Sequence, residues 1–280
     1  MSDRQSQAAA RVARQTRIDE TCVAPVWTKT VDIPMLELCM ANTTAPSPVF
    51  LLPELRFPSL LVKLCQCFPN IGKIMIVDDS NLRFETLRNA VAKYNPNLYF
   101  STQEISALNY ADDIFHVIMT QIGLATHARL GVILPSYRRV QRKNGSLFIS
   151  IPAPGAFDAF FDMFEESLFA IAPELCAEIM EEIRQMMQVD NVVHHLNDAG
   201  FTIKSQENIR FELSFDSAEQ LLFSTLVESH YLWFCMALNR PQIDARALLT
   251  RIVRSFHHYF QDSAVKIPIV MPTFHAIKSE

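Results

Sequence analysis

Between Gly72 and Pro154 the chain alternates short apolar runs with stretches whose apolar residues recur at helical spacing. That alternation restricts the fold more than any other feature. Lys73 to Val77 (KIMIV) is a continuous apolar run bounded by Gly72 and by Asp78-Asp79, the pattern of a strand buried on both faces. Asn81 to Tyr94 places Leu82, Phe84, Leu87, Ala90 and Val91 at helical spacing, with Ser80 as the expected N-cap. Leu98 to Ser101 reads as extended, Phe115 to Thr120 (FHVIMT) as a buried strand, Gly131 to Val140 as helix, and Ser146 to Ile151 (SLFISI) as strand. Upstream, Pro48 to Leu52 reads as a short strand and Ser59 to Phe68 as a buried helix. Helical crossovers make successive strands parallel, so the expected class is α/β, a mostly parallel sheet covered by helices.

The flanks read differently. The first twenty residues carry Arg4, Arg11, Arg14 and Arg17 among alanines and predict a mostly solvated helical arm; Thr21 to Pro48 holds Pro25, Pro34, Pro46 and Pro48 and predicts irregular structure with short helix. Beyond Pro154, Phe157 to Ala172 and Pro173 to Val189 have helical spacing, with Pro173 suited to a first turn. Asn191 to Ala199 is a short helix with Gly200 as its C-terminal cap. Phe201 to Lys204 and Asn208 to Ser214 read as two strands, Ala218 opens a helix, and helical segments follow near Leu221 to Leu238 and Ala245 to Phe260. The chain closes on an apolar stretch from Ala264 to Ile277. The expected organisation is an arm and lead-in helix over 1–47, then one domain over 48–280 with a helical insertion at 157–190.

Composition excludes several classes of function. Six glycines in 280 residues, at 72, 123, 131, 145, 155 and 200, compare with the roughly twenty that average usage would supply. None clusters into a loop whose bare backbone could cradle a phosphate, so neither a P-loop nor a GxGxxG string is present. A net charge of −5 lacks the overall positive field of a general nucleic-acid binder. Six cysteines without framework spacing predict reduced thiols and a cytoplasmic setting, and Cys65-x-Cys67 reads as two small helix residues. His194-His195 and His257-His258 are sequence neighbours, about 100° apart on a helix, unlike the i, i+4 spacing of a helical metal pair, so no metal is expected. Arg138, Arg139, Arg142 and Lys143 form a basic cluster that reads as a solvated helix end. No apolar run reaches the ~18 residues of a membrane span.

Two family resemblances meet at Asp78-Asp79. KIMIVDDS (Lys73 to Ser80) resembles the first strand of response-regulator receiver domains, but the strand end that should supply their phosphorylated aspartate offers Thr120 and Gln121, and SLFISIPAP lacks their lysine. A wider resemblance is to class I S-adenosylmethionine-dependent methyltransferases. GKIMIVDDSNLRFETLRNAVA (Gly72 to Ala92) resembles their second strand and following helix. QEISALNYADDIFHV (Gln103 to Val117) resembles the segment entering the fourth strand, with His116 in place of an aspartate. RRVQRKNGSLFISIPAP (Arg138 to Pro154) resembles helix, turn and fifth strand, and LNDAGFTIKSQENIRFELSFDSAEQLL (Leu196 to Leu222) the last two strands and a helix. The resemblance implies a seven-stranded, Rossmann-like sheet. It also implies that Asp78 stands where an acid binds the cofactor ribose, and Glu104 where one contacts adenine.

The glycine-rich loop of that family has no counterpart. Aligned without a gap from Pro69, its strand-end aspartate falls on Leu52, and its three glycines on Glu54, Arg56 and Pro58. Side chains there fill the space of the methionine moiety, Glu54 sets a negative charge against the cofactor carboxylate, and Pro58 removes an N–H donor. The expectation is therefore a methyltransferase-like protein without cofactor, acting as an interaction or scaffold subunit with protein partners. The alternative is an active enzyme acting on a small molecule, binding S-adenosylmethionine atypically through Asp78 and Glu104. Asp78 and Asp79 also read as an ordinary solvated strand end or helix cap.

Overall fold

The apolar runs form the centre of a seven-stranded sheet in the computed structural model, which describes residues 3–55, 57–94, 96–227, 240–261 and 263–278. The strands are β1 (Val49–Pro53), β2 (Lys73–Asp78), β3 (Leu98–Thr102), β4 (Phe115–Gln121), β5 (Gln141–Ser150), β6 (Phe201–Phe215) and β7 (Val265–Lys278). They lie in the order β3-β2-β1-β4-β5-β7-β6. Strands β1 to β5 pair in parallel, and β7 runs antiparallel to both β5 and β6.

The helices are α1 (Asp3–Ile18), α2 (Ala24–Trp27), α3 (Ile33–Asn42), α4 (Pro58–Cys67), α5 (Phe84–Val91), α6 (Leu124–His127), α7 (Leu130–Val140), α8 (Asp158–Ile171), α9 (Pro173–Met186), α10 (Val189–Asp198), α11 (Ala218–Leu222) and α12 (Ala245–Phe260). Successive strand residues point to opposite faces, which sorts the core into layers. Phe50 and Leu52 pack with Leu36 of α3, Leu64 of α4 and Leu87 of α5, while Leu51 packs on the other face with Ile133 of α7 and Leu196 of α10. A third cluster joins Trp27 and Val31 to α8, α9, α12 and the far halves of β6 and β7. Strand β5 ends at Ser150, opposite Thr273, so β7 from Val265 to Pro272 and its partners on β6 project beyond the carboxyl edge of the sheet. The third cluster is thus a cap over that edge.

Three expectations change. Phe201 to Lys204 and Asn208 to Ser214 are one strand, not two: a register shift between Ile203 and Ser205 absorbs the polar middle, and the seventh strand is the C-terminal apolar stretch. The first twenty residues are helical and mostly exposed, as expected, but the lead-in that follows is not irregular. The chain stays helical from Asp3 to Asn42 through two π-helical turns, Asp19–Val23 and Thr28–Asp32, which let Val23, Trp27, Val31 and Met35 all face inward. Pro25 and Pro34 each follow directly on a π-helical turn, closed by the Ala24 N–H to Asp19 O and the Ile33 N–H to Thr28 O, so the wider turn precedes each missing N–H. Ser80 does not cap α5, which begins only at Phe84; its hydroxyl instead accepts from the Leu82 N–H. The segment expected to be helical to Leu238 is described only as far as residue 227, where α11 ends at Leu222.

Candidate functional site

Open parallel sheets bind ligands outside the carboxyl ends of their strands, where the strand order reverses. Here β1 leads outward to β2 and β3 while β4 leads the other way to β5, so the reversal lies between β1 and β4. The residues that follow these two strands build the crevice.

Glu54 follows β1 with φ +50, the left-handed conformation that favours glycine. Its N–H donates to Val77 O at 2.7 Å, and its carboxylate accepts from Thr126 Oγ1 of α6 at 2.7 Å. A side chain in a backbone conformation that favours glycine thus spans from the end of β1 to the helix after β4. Leu55 and Phe57 are buried beside it, and Pro58 opens α4. Leu52 is a fully buried core residue paired with Ile76. Arg56 lies outside the described residues.

The N-terminal arm enters the same crevice. Gln121, the last residue of β4, accepts from the Trp27 indole N–H at 3.0 Å and donates to Asp32 Oδ1 at 2.7 Å. Asp32 Oδ2 accepts from Ser59 Oγ in the first turn of α4 at 2.7 Å. Asp32 is fully buried, and burial pushes its carboxyl up to about 6, against the opposing hydrogen bonds of Ser59, Gln121 and Thr28. The Trp27 ring lies 5.5 Å from Phe57 and 5.7 Å from Phe211. A second carboxylate of the arm, Asp19, accepts from the Thr225 N–H at 3.2 Å and also from its hydroxyl; burial raises it to about 6 as well. Arg83 donates to Gln15 and Thr225, tying the arm to the segment before α5.

The two acids expected at the nucleoside end are engaged with this chain. Asp78, at the end of β2, is buried; its Oδ1 accepts from the Ser80 N–H at 3.1 Å. It caps the turn after β2 and, unlike the solvated strand end expected for the pair, is buried; only Asp79 is exposed. Glu104 lies beyond β3 and is exposed; it accepts from Ser106 Oγ at 2.7 Å and pairs with Arg129. Those two partners, Ser106 first, hold its carboxyl below the ordinary range. Crevice and arm thus bring together Glu54, Thr126, Trp27, Asp32, Ser59 and Gln121. Sequence reasoning found only Glu54 among them as a site residue. The missed signal was the spacing Val23, Trp27, Val31, Met35, one buried face of a helix.

The remaining polar groups are structural or lie elsewhere. Arg138 donates to Gly200 O, Arg139 pairs with Asp112, and Arg142 lies 3.0 Å from His116 Nε2. His194 pairs with Asp198 and His195 packs against Gly131. Among the described residues no group of three or more His, Cys, Asp or Glu is placed to hold a metal ion. Cys22, Cys39, Cys65, Cys67 and Cys176 are free thiols. No helix among the described residues is long and apolar enough to cross a membrane.

By sequence the chain matches no protein-family model and no curated protein. By structure it is similar to a Bacillus halodurans C-125 protein provisionally assigned as a methyltransferase, at 12% identity and TM-score 0.55, over 88% of this chain and 99% of that one. It is similar to a protein of Galdieria sulphuraria provisionally assigned as a sarcosine dimethylglycine methyltransferase, at 12% identity and TM-score 0.53, over 94% and 90%. It is also similar to the [4+2]-cyclase SpnF, at 13% identity and TM-score 0.52, over 89% and 80%. At these identities the likeness is one of fold.

Proposed function

We propose that this chain, which has the class I methyltransferase fold, works without that fold's cofactor, as an interaction or scaffold subunit of a protein assembly. The observation that carries the reading is the bonded series Trp27, Gln121, Asp32 and Ser59, set across the reversal point of the sheet. A cofactor seated there would have to displace a buried indole and a buried carboxylate that hold each other through Gln121. The residues of the β1 to α4 turn do not fit a methionine carboxylate either: Glu54 puts negative charge beside it, and Leu55 and Phe57 fill the loop. Folds carry chemistry only through their sites, and the likeness to a [4+2]-cyclase accords with that.

A second reading draws on what is kept. The left-handed turn at Glu54 and the acid at Asp78 favour an active S-adenosylmethionine-dependent methyltransferase that binds its cofactor atypically and takes a small-molecule substrate under the α8 and α9 segment. Thermal unfolding in the presence of S-adenosylmethionine or S-adenosylhomocysteine separates the two. A ligand at one hundred times its dissociation constant adds about 2.7 kcal/mol of stability. The first reading expects no shift of the midpoint at millimolar ligand; a shift of several degrees supports the second.

A further inference from the structure

The surface of the cap carries a feature that the crevice does not use. A groove of about 640 Å³ runs between α8 and α12, lined on the α12 side by Arg246, Arg251, Arg254, His258 and Tyr259. The opposite face of α12 buries Leu248, Ile252 and Phe256 in the cap, so the arginine face is the one left to solvent. The helix contains no acidic residue, although acids outnumber bases 30 to 25 in the whole chain.

Several arginines elsewhere find carboxylates: Arg14 pairs with Glu219, Arg129 with Glu104, Arg139 with Asp112, Arg184 with Glu165, and Arg240 with Glu178 and Glu182. Among the described residues no carboxylate pairs with Arg246, Arg251 or Arg254. Two acids line the groove. Asp244 is spent as the cap of α12, accepting from the Arg246 and Ala247 N–H groups, and Glu166 stands exposed on α8. Helix stability does not explain the arrangement. Arg246 sits in the first turn, where the dipole disfavours a cation, and Arg251 and Arg254 are like charges three residues apart. A large aromatic is exposed beside them: Tyr259, at 59%, lines the same groove. Unpaired arginine next to exposed aromatic side chains is the composition of protein-binding hot spots.

We propose that the groove between α8 and α12 docks an acidic helical segment of a partner protein. The ridge Arg246, Thr250, Arg254, His258 repeats every four residues over about 18 Å, the spacing at which a neighbouring helix presents glutamates at i, i+4 and i+8. Tyr259 and, across the groove on α8, Ile171 supply the apolar contacts such a helix needs in addition to charge. Duplex nucleic acid fits less well: three guanidiniums on a chain of net charge −5 neutralise about three phosphates, short of the roughly six to ten contacts of a tight binder. The inference rests on the interaction role proposed above for its purpose. The two fail separately, because cofactor titration reads the crevice and peptide titration reads the groove.

The test is fluorescence anisotropy on the full chain at low salt, with a labelled helical peptide carrying glutamates at i, i+4 and i+8 beside a leucine ridge. The same peptide with lysines in place of glutamates, and a short DNA duplex, serve as comparison probes. The expected result is saturable binding of the glutamate peptide only, weakened about tenfold or more by Arg251→Glu with Arg254→Glu. Arg210→Glu, on β6, leaves the affinity unchanged. All three positions are exposed, so the variants keep the parent melting temperature. Absence of peptide binding, equal affinity in the double variant, or preference for the duplex overturns the proposal.

Discussion

The Glu54 carboxylate and the Thr126 hydroxyl meet at 2.7 Å, one just beyond β1 and the other in the helix after β4. Those strands flank the point where the sheet order reverses, so the bond closes the crevice at its base. Thr126 is 7% exposed and Glu54 half-buried, so the bond is partly screened from water. Thr126→Val keeps the side-chain shape and removes the donor. A hydrogen bond to a charged group contributes about 1.5–3 kcal/mol, and the variant is expected to lose that much stability in urea unfolding.

The Trp27 indole combines a polar link with a packing role. Trp27→Phe keeps a ring against Phe57 and Phe211 and takes away the donor to Gln121, an expected loss of about 1–2 kcal/mol. Trp27→Ala also leaves a cavity in the cap and is expected to lose about 3–5 kcal/mol. Comparing the two by urea midpoint separates the bond from the packing.

Asp32 makes stability depend on pH. Its carboxyl stands at about 6 in the folded chain against an ordinary 3.8, because it is buried. Between those values the unfolded chain has released a proton that the folded chain still holds. Its contribution is therefore fully present below pH 3.8 and is lost as pH rises through 6. Asp19 acts in the same sense, whereas His127, lowered by burial to about 4, acts in the opposite one. The difference between the parent and Asp32→Asn isolates one group. Asparagine reproduces the protonated form, accepting from Gln121 and donating to Ser59 once that hydroxyl turns. From pH 4 to pH 7 the variant is expected to gain roughly 3 kcal/mol relative to the parent, about two pKa units. A difference that stays flat across that range in urea unfolding would show that Asp32 is not buried as described.

Gly200 ends α10 at φ +79, and a Cβ there would lie 2.7 Å from Arg138 Nε, which donates to the Gly200 carbonyl. Gly200→Ala combines a left-handed backbone with that clash. The expected loss is more than about 1 kcal/mol, read as a lower melting temperature.

Much of this fold is legible in the sequence because its central strands are buried on both faces and so carry continuous apolar runs: KIMIV and FHVIMT need no partner to be read as strands. The last strand is harder to read. Pro268 and Pro272 argue against a paired strand, yet in an antiparallel ladder a residue's N–H and C=O point to the same side. Their carbonyls accept from Phe157 and Ile151, so the missing N–H groups face the segment after β5 and the ladder to β6 is intact. The turn from Glu54 to Pro58 is recognisable by its missing glycines, whereas the group that fills the crevice is not. Trp27, Asp32, Ser59 and Gln121 lie in three separate segments, and no local pattern joins residues that meet only after β1 and β4 are paired.

The most direct measurement of the central claim is isothermal titration of the full chain with S-adenosylmethionine and with S-adenosylhomocysteine. An occupied crevice predicts no saturable heat with either ligand up to millimolar concentration. It predicts the same for Glu54→Gly, because Trp27 and Asp32 remain in place. Saturable binding at micromolar affinity, weakened by Asp78→Ala, would contradict the account and establish the crevice as a working cofactor site.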